Sequence, residues 1–456
     1  MTLAQQLAAF AAELRFEEIP KEVLSCAKDH LLDTLGVALA GRQEEASRAV
    51  RALVEEWGGA SEATLLGERR RLPAASAALV NGTYAHARDF DDGHHPSVVH
   101  PSASLVPAVL AQAEASRADG RECLVALVAG YEILIRLAMA QYDARAGNST
   151  FFARGFHATS IIGAIAAAAA CARLRGLSAE GITHAMAVAC SMAAGILEGN
   201  RSGGTVKQTH CGWAAHCGVS AAGLAAHGVT GPATVLEGGF GFFPSFCGEG
   251  WTPAPISDLG RRWDTLTMSF KPYPCNGFTH AIVDAALALR ERGLRPEQVE
   301  RVEIGTAAAS RRTIGEPIEE KRHPRSPYHA EFSGPFVFAC ALVGGGGLGV
   351  ALEDFTEVTL RDPVRIGVAE RCEVVEDAAC TATFPRHFPA VVRVWTRDGR
   401  RLEERVMVNR GSAERPLSPE ELLLKLRSTA EERAERLAEQ VRSLEQASDL
   451  RCLLEG

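Results

Sequence analysis

Apolar residues recur at helical spacing through most of the first 270 positions. Leu24, Leu31, Leu32 and Leu35 fall on one face of a 3.6-residue period, and Leu124, Val128, Tyr131 and Leu134 repeat the pattern. The stretches 158–175, 178–197 and 205–228 are almost wholly small or apolar, which predicts helices buried on most sides at the centre of a bundle. Pro20 stands where a helix start would place it. The opening MTLAQQLAAFAAELRFEEIP has no basic leader and carries Glu13, Glu17 and Glu18, so it reads as an amphipathic helix and not as a signal peptide.

The pattern changes near residue 270 and again near 410. VERVEIGT and AVVRVWT alternate with a period of two, so that Val392, Val394 and Thr396 share one face of a strand, and Arg397-Asp398-Gly399 supplies a hairpin turn. A helix over 279–292 separates extended segments, and 418–444 returns to charged surface helix. The expected fold is mainly α: a large all-helical domain over 1–269, an inserted smaller α+β lid over 270–408, and a C-terminal helix within 409–456 that returns to the first domain.

Length supports this division, because 456 residues exceed what one core ordinarily holds. Apolar residues at 46% and charged residues at 23% are ordinary globular usage, which excludes disordered and fibrous classes. A formal charge of −8 argues against a nucleic-acid partner, and means that an anionic substrate needs a locally basic pocket. Ile161–Ala170 is read as the longest apolar run, too short to span a membrane. Twelve cysteines without a CxxC pair or regular spacing read as reduced thiols of a cytoplasmic protein.

The densest chemical signal is HARDFDDGHHPSVVHPSAS, which holds His86, Asp89, Asp91, Asp92, His94, His95 and His100. A polar loop whose Asp and His side chains cap helices is one account of it. Metal ligation is another, although neither HExxH nor EF-hand spacing occurs. A third is proton chemistry: His100 precedes Pro101-Ser102, His157 precedes Thr159-Ser160, Lys207 follows Gly203-Gly204-Thr205 and His280 follows Thr279, each at an expected helix start. Helix N-termini favour carboxylates and depress a nearby imidazole's pKa, keeping it neutral. Against these stand capping roles for a lone histidine and a surface role for a lone lysine, although Lys207 lies in a stretch poor in charge. His210, His216 and His227 read as core or surface positions of one helix, Cys211 and Cys217 as packing residues, and Cys275 as a thiol without an evident base.

At this segment the chain resembles the MmgE/PrpD family. The resemblance recurs in GFHATSIIGAIAAAAACARLRGL, in GTVKQTHCGWAAHCGVSAAGLAAHGVTGPATVLEGGFGF, and in KPYPCNGFTHAIVDAAL and AEFSGPFVFACAL, in the family's order. It implies a helical domain with a lid, a homodimer, an active site between domains, and no metal or organic cofactor. Motif matching carries over Asp89 and His100 from the first block, His157 from the second, Lys207 from the third, and Lys271 and His280 from the fourth. Gly93 stands where the decarboxylase-like pattern has Thr, Asn276 stands where it has His, and Tyr328 is a weak match to the family tyrosine. These departures count against a decarboxylase.

The expected chemistry is removal of a proton α to a carboxylate of a small di- or tricarboxylate. His157 and His100 form the acid–base pair, Asp89 orients an imidazole, and His280 completes the catalytic set. Lys207, Lys271, Asn276 and Asp92 bind substrate. A hydro-lyase like 2-methylcitrate dehydratase is the first expectation; a dicarboxylate epimerase like iminodisuccinate epimerase and a carboxy-lyase like cis-aconitate decarboxylase are the alternatives. From other classes stand a metal-dependent hydrolase built on the His86–His100 cluster and a non-enzymatic helical scaffold.

Overall fold

A computed structural model describes residues 1–143, 148–199 and 204–455; Gly203, in the motif before Lys207, lies outside them. The fold is mainly helical with a small mixed sheet, and the chain forms two compact units: Met1–Met268 with Thr429–Gly456, and Ser269–Ser428.

The first unit begins with α1 (Leu3–Glu13), which Thr2 and Gln5 close by a reciprocal capping box. There follow α2 (Lys21–Gly41) behind Pro20, α3 (Glu45–Trp57), α4 (Ala74–His86), α5 (Pro101–Ser116), α6 (Gly120–Ala140), α7 (Ala158–Leu174), α8 (Ala179–Met192) and α9 (His210–Ala226). Helix α7 is the centre: every residue from Ala158 to Ala172 is buried, and it packs against α5, α6, α8 and α9. Its Ala-rich sequence is what lets four neighbours approach at once.

Close approach also sets where α4 crosses α9. A Cβ on Gly82 would lie 2.8 Å from the Gly212 Cα, and a Cβ on Gly212 would lie 2.2 Å from the Leu79 carbonyl oxygen. The two glycines therefore bring the C-terminal end of α4, which carries His86, to the N-terminal end of α9, which carries His210.

Helix α6 corrects one expectation. It has 21 residues and is long and apolar enough to cross a membrane by length and composition, so Ile161–Ala170 is not the limiting run; 94% of its most apolar window is buried inside the protein. It also carries a buried pair, Glu132 and Arg136, 3.3 Å apart. Glu132 accepts bonds from the Asp264 and Thr265 amides, and Arg136 donates to the carbonyls of Pro255 and Arg262. These bonds fasten the 254–267 segment to α6 and leave neither charge unmatched.

The second unit contains strands β1 (Val299–Thr306), β2 (Cys372–Glu376), β3 (Ala390–Thr396) and β4 (Arg401–Val406) in the order β2-β1-β3-β4, with β1 and β2 parallel and the other pairs antiparallel. Val392, Val394 and Thr396 are buried along one face of β3 as their alternation requires, and Gly399 at φ 84° closes the hairpin to β4. Helix α10 (His280–Glu291) packs on β3, β4 and α11 (Gly334–Val343), with Ile282, Leu289, Ile304, Phe336 and Phe338 in the shared core.

The C-terminal expectation changes in two respects. The return to the first unit starts at Thr429 and not at 409. The charged stretch is also not one helix: α12 (Pro419–Ala430) ends at Glu431, whose φ of 50° breaks the run before α13 (Ala434–Arg442) packs on α2. Charge periodicity carries no signal for such a break.

Because the Gly82–Gly212 crossing has no room for a methyl group, Gly212→Ala should destabilise the protein by about 1–3 kcal/mol. Gly223→Ala in the same helix meets nothing nearer than Arg175 at 3.8 Å, and should be neutral or stabilising by up to about 1 kcal/mol. Urea denaturation midpoints of the two variants check this, and equal losses would show that the crossing is not the tight point.

Candidate active site

The polar cluster is a short loop, not a surface tract. Asp91 and Asp92 are fully buried between α4 and α5, and His86, Asp89 and His94 are each less than 5% exposed. Two residues of the loop take left-handed backbone, Asp89 at φ 48° and Val98 at φ 55°. The second is costly for a β-branched side chain, and strain of this kind persists only where surrounding contacts impose it.

Asp92 is held by three groups. His30 of α2 lies 2.8 Å from its Oδ2, the Ser102 amide donates to Oδ1 at 3.1 Å, and the Ser102 hydroxyl donates to Oδ2 while standing 2.6 Å from the Tyr131 hydroxyl. Burial opposes a charge on His30, but neighbouring Cys26 and the Asp92 carboxylate raise its pKa to about 10. Asp92 thus caps the start of α5 inside a buried ion pair.

Asp91 organises the imidazoles. Its Oδ2 accepts from His86 Nδ1 at 2.9 Å and lies 3.3 Å from His100 Nδ1. Burial pushes its pKa up, and His86 and His100 outweigh that to hold it well below the usual carboxylate range. Asp91 thus contacts two imidazoles. Asp89 instead accepts from Lys207 Nζ at 2.9 Å, in a pair whose members are both buried.

Four histidines gather here. His100 and His157 are the N-caps of α5 and α7, His86 ends α4, and His210 opens α9 directly after the turn Val206–Thr209 that holds Lys207. Ring centroids are 5.1 Å apart for His86 and His100, 5.7 Å for His86 and His157, and 5.0 Å for His157 and His210. His157 Nδ1 lies 2.9 Å from His210 Nδ1. Burial, then the positive field of Lys207, holds the pKa of His157 well below its ordinary value. Burial and His86 bring His210 to about 4, and burial lowers His86 despite Asp91. His94, bonded to the Ser97 hydroxyl at 2.6 Å, falls to about 4 through burial alone.

Hydrogen-bond geometry fixes one tautomer directly. His100 Nδ1 faces the Asp92 carbonyl oxygen at 2.8 Å and the Asp91 carboxylate at 3.3 Å, both acceptors, so in the neutral form Nδ1 carries the proton and Nε2 carries the lone pair. His100 is also the open member of the group, with 20% of its side chain exposed against 1% for His86.

His86, Asp91 and Cys211 bring ligand atoms within 4.8 Å of one another. Their chemistry does not suit a cation: His86 Nδ1 and Asp91 are bonded to each other, and burial with the nearby Asp91 charge drives the Cys211 thiol far from thiolate.

The sequence-derived set divides between the units. His100, His157, Lys207, Asp89 and Asp92 lie in the first; Lys271, Asn276 and His280 lie in the second. Lys271 is buried there, and the Asn276 side chain caps a turn by accepting the Phe278 amide at 3.0 Å. His280 opens α10 fully buried, its Nε2 3.1 Å from the Cys275 carbonyl oxygen and its ring edge-on to Tyr273. The sequence pattern gave His86 and Asp91 a role only as ligands in the metal alternative, although both lay in the marked cluster. It left His210 on the helix body, and nothing local marked His30.

Two family models match the chain: the MmgE/PrpD N-terminal domain over residues 5–253 and the MmgE/PrpD C-terminal domain over 273–450. Among curated relatives, a cis-aconitate decarboxylase-like protein, oryM, of Aspergillus oryzae is 27% identical over 98% of this chain and 96% of its own length. The cis-aconitate decarboxylases of Aspergillus terreus and Homo sapiens are 26% and 29% identical, over 99% and 100% of this chain and 94% and 95% of theirs. These relatives bear the name of the carboxy-lyase alternative and not of the hydro-lyase.

The buried imidazoles set a pH dependence. His86, His94, His157 and His210 all have folded pKa values below the ordinary 6.5. The unfolded chain therefore binds their protons first as pH falls, and each lowers stability by up to about 1.4 kcal/mol per pH unit below about pH 6.5 until its folded pKa is passed. His30, raised to about 10, acts oppositely: its stabilisation is complete below pH 6.5 and is lost as pH rises towards 10. Urea midpoints should fall steeply from pH 6.5 to 4.5, and His210→Gln should make that limb shallower by about one proton's slope. A flat acid limb would show the imidazoles to be solvated.

Proposed function

The chain belongs to the MmgE/PrpD family, and we propose that it is a lyase that takes a proton from the carbon next to a carboxylate of a small di- or tricarboxylic acid, acting first of all as a hydro-lyase. The observation that carries this is the His100 ring: Nδ1 is fixed against two acceptors, which leaves its lone pair on Nε2 in the most open of the clustered imidazoles. A lone pair on an open nitrogen is what a proton-abstracting group needs.

In this reading Asp91 orients His100 and stabilises the imidazolium that forms on it. Lys207, whose charge is felt at His86, His157 and His210, provides positive potential for a polycarboxylate in a protein of net charge −8. His157 donates to the enolate-like charge as a neutral imidazole. The proton taken by His100 returns to the departing hydroxyl, so that water leaves and a carbon–carbon double bond remains.

A second reading has the decarboxylase names of the relatives in its favour. There a carboxylate leaves as CO2 and the same Nε2 must deliver a proton instead of taking one. Gly93 and Asn276, which replace Thr and His of the decarboxylase-like pattern, favour the hydro-lyase.

Incubation with citrate-like and aconitate-like acids separates the readings. Loss of water with no CO2 is expected, while CO2 release from an unsaturated tricarboxylate would establish the carboxy-lyase. His100→Gln should cost about 10²- to 10⁴-fold in kcat with an unchanged circular dichroism spectrum, and activity within a few fold of wild type would remove His100 from the mechanism. Dialysis against EDTA should leave turnover unchanged; loss that one divalent ion restores would reverse the reading of His86, Asp91 and Cys211.

A further inference from the structure

His157 and His210 meet through the same ring nitrogen. With Nδ1 to Nδ1 at 2.9 Å, neither ring can use its Nδ1 lone pair and the other's at once: one nitrogen must carry a proton and the other must accept it. In the neutral pair the tautomers are therefore opposite, one imidazole bearing its remaining proton site at Nδ1 and the other at Nε2. The surroundings keep both rings neutral, since both are more than nine-tenths buried and lie near Lys207 and His86.

Each ring is anchored by its backbone. His157 is the N-cap of α7, with its own amide bonded to the Gly195 carbonyl at 3.1 Å. His210 opens α9, and its carbonyl accepts the Ser160 hydroxyl at 3.0 Å from the first turn of α7. Ser160 also donates to the Ala194 carbonyl at 2.6 Å, so one side chain ties the starts of both helices and the segment after α8. The Nδ1–Nδ1 contact is thus set by the helix packing and not by free rotation of two side chains.

We propose that His210 is a positioning residue that donates its Nδ1 proton to His157 and thereby holds the proton of His157 on Nε2. This rests on the role given above to His157 as a neutral donor towards developing negative charge; the opposite arrangement would leave His157 with a lone pair where a donor is needed. His86 and His100, by contrast, direct Nδ1 at the Asp91 carboxylate and carry Nε2 lone pairs. The cluster then holds two imidazoles fixed as acceptors by a carboxylate and one fixed as a donor by another imidazole.

Nitrogen-15 spectra of the histidine-labelled protein at pH 7.5 test this without reference to turnover, with His157→Asn and His210→Asn identifying the two signals. The expected result is a proton on Nδ1 of His210 and on Nε2 of His157. His210→Ala should then release His157 to a mixture of tautomers and lower kcat on the order of 10²-fold with KM within about threefold, because an imidazole in the wrong tautomer keeps its place and loses its function. His210→Asn, whose amide N–H stands near the lost Nδ1, should restore the His157 signal and most of kcat. A proton on Nδ1 of His157, or a His157 signal that ignores His210→Ala, overturns the proposal. Should His210→Ala fail to fold, the wild-type spectrum alone decides. Opposite tautomers in a protein that turns over no polycarboxylate would leave the pair standing and refute the functional reading instead.

Discussion

Two adjacent carboxylates, Asp91 and Asp92, are buried completely, and much of the first unit's polar architecture answers that fact. A buried charge left unmatched costs several kcal/mol, so each must be supplied with donors from elsewhere in the fold. Asp92 draws on His30 of α2 and Ser102 of α5, with Tyr131 of α6 behind the serine. Asp91 draws on His86 of α4 and His100 before α5. Four helices are thereby registered against one short loop, and the imidazoles that satisfy Asp91 have their Nδ1 atoms directed at it.

Packing and chemistry are joined at the same place. The Gly82–Gly212 crossing that lets α4 touch α9 also delivers His86 and His210 to the cluster, and the N-terminal ends of α5 and α7 deliver His100 and His157. Helix starts offer unpaired amides and positive potential, which suits anions and keeps imidazoles unprotonated. Lys207 adds a full positive charge in the turn that leads into α9, matched by Asp89. Helix-start amides and Lys207 thus stand beside three buried carboxylates in one small region.

Much of this was legible in the sequence, for reasons that are local. The Ala-rich run of α7, the period-two runs of β1 and β3 and the Arg397–Gly399 turn each carry their own periodicity, and the helix starts at His100, His157 and His280 follow from neighbouring residues. What was not legible depends on contacts distant in sequence. Asp91 and Asp92 are chemically identical neighbours, and only the direction of each side chain separates the carboxylate that orients imidazoles from the one that caps α5. His210 gave the pattern of a helix-body residue, and its partner lies 53 positions away. His30 sits 62 positions from Asp92 on a helix that looks ordinary. The break at Glu431 depends on one backbone angle within a run of good helix formers.

In the reaction proposed for this chain, clustered imidazoles remove a proton next to a carboxylate. Loss of hydrogen at that carbon reports the step whether or not the reaction goes on to lose water. Proton NMR of citrate-like and succinate-like acids incubated with the enzyme in heavy water should show stereospecific loss of one α-hydrogen signal in wild type and none in His100→Gln. Turnover of such an acid with its α-hydrogen retained in the product, or equal loss of the signal in the variant, would contradict this reading.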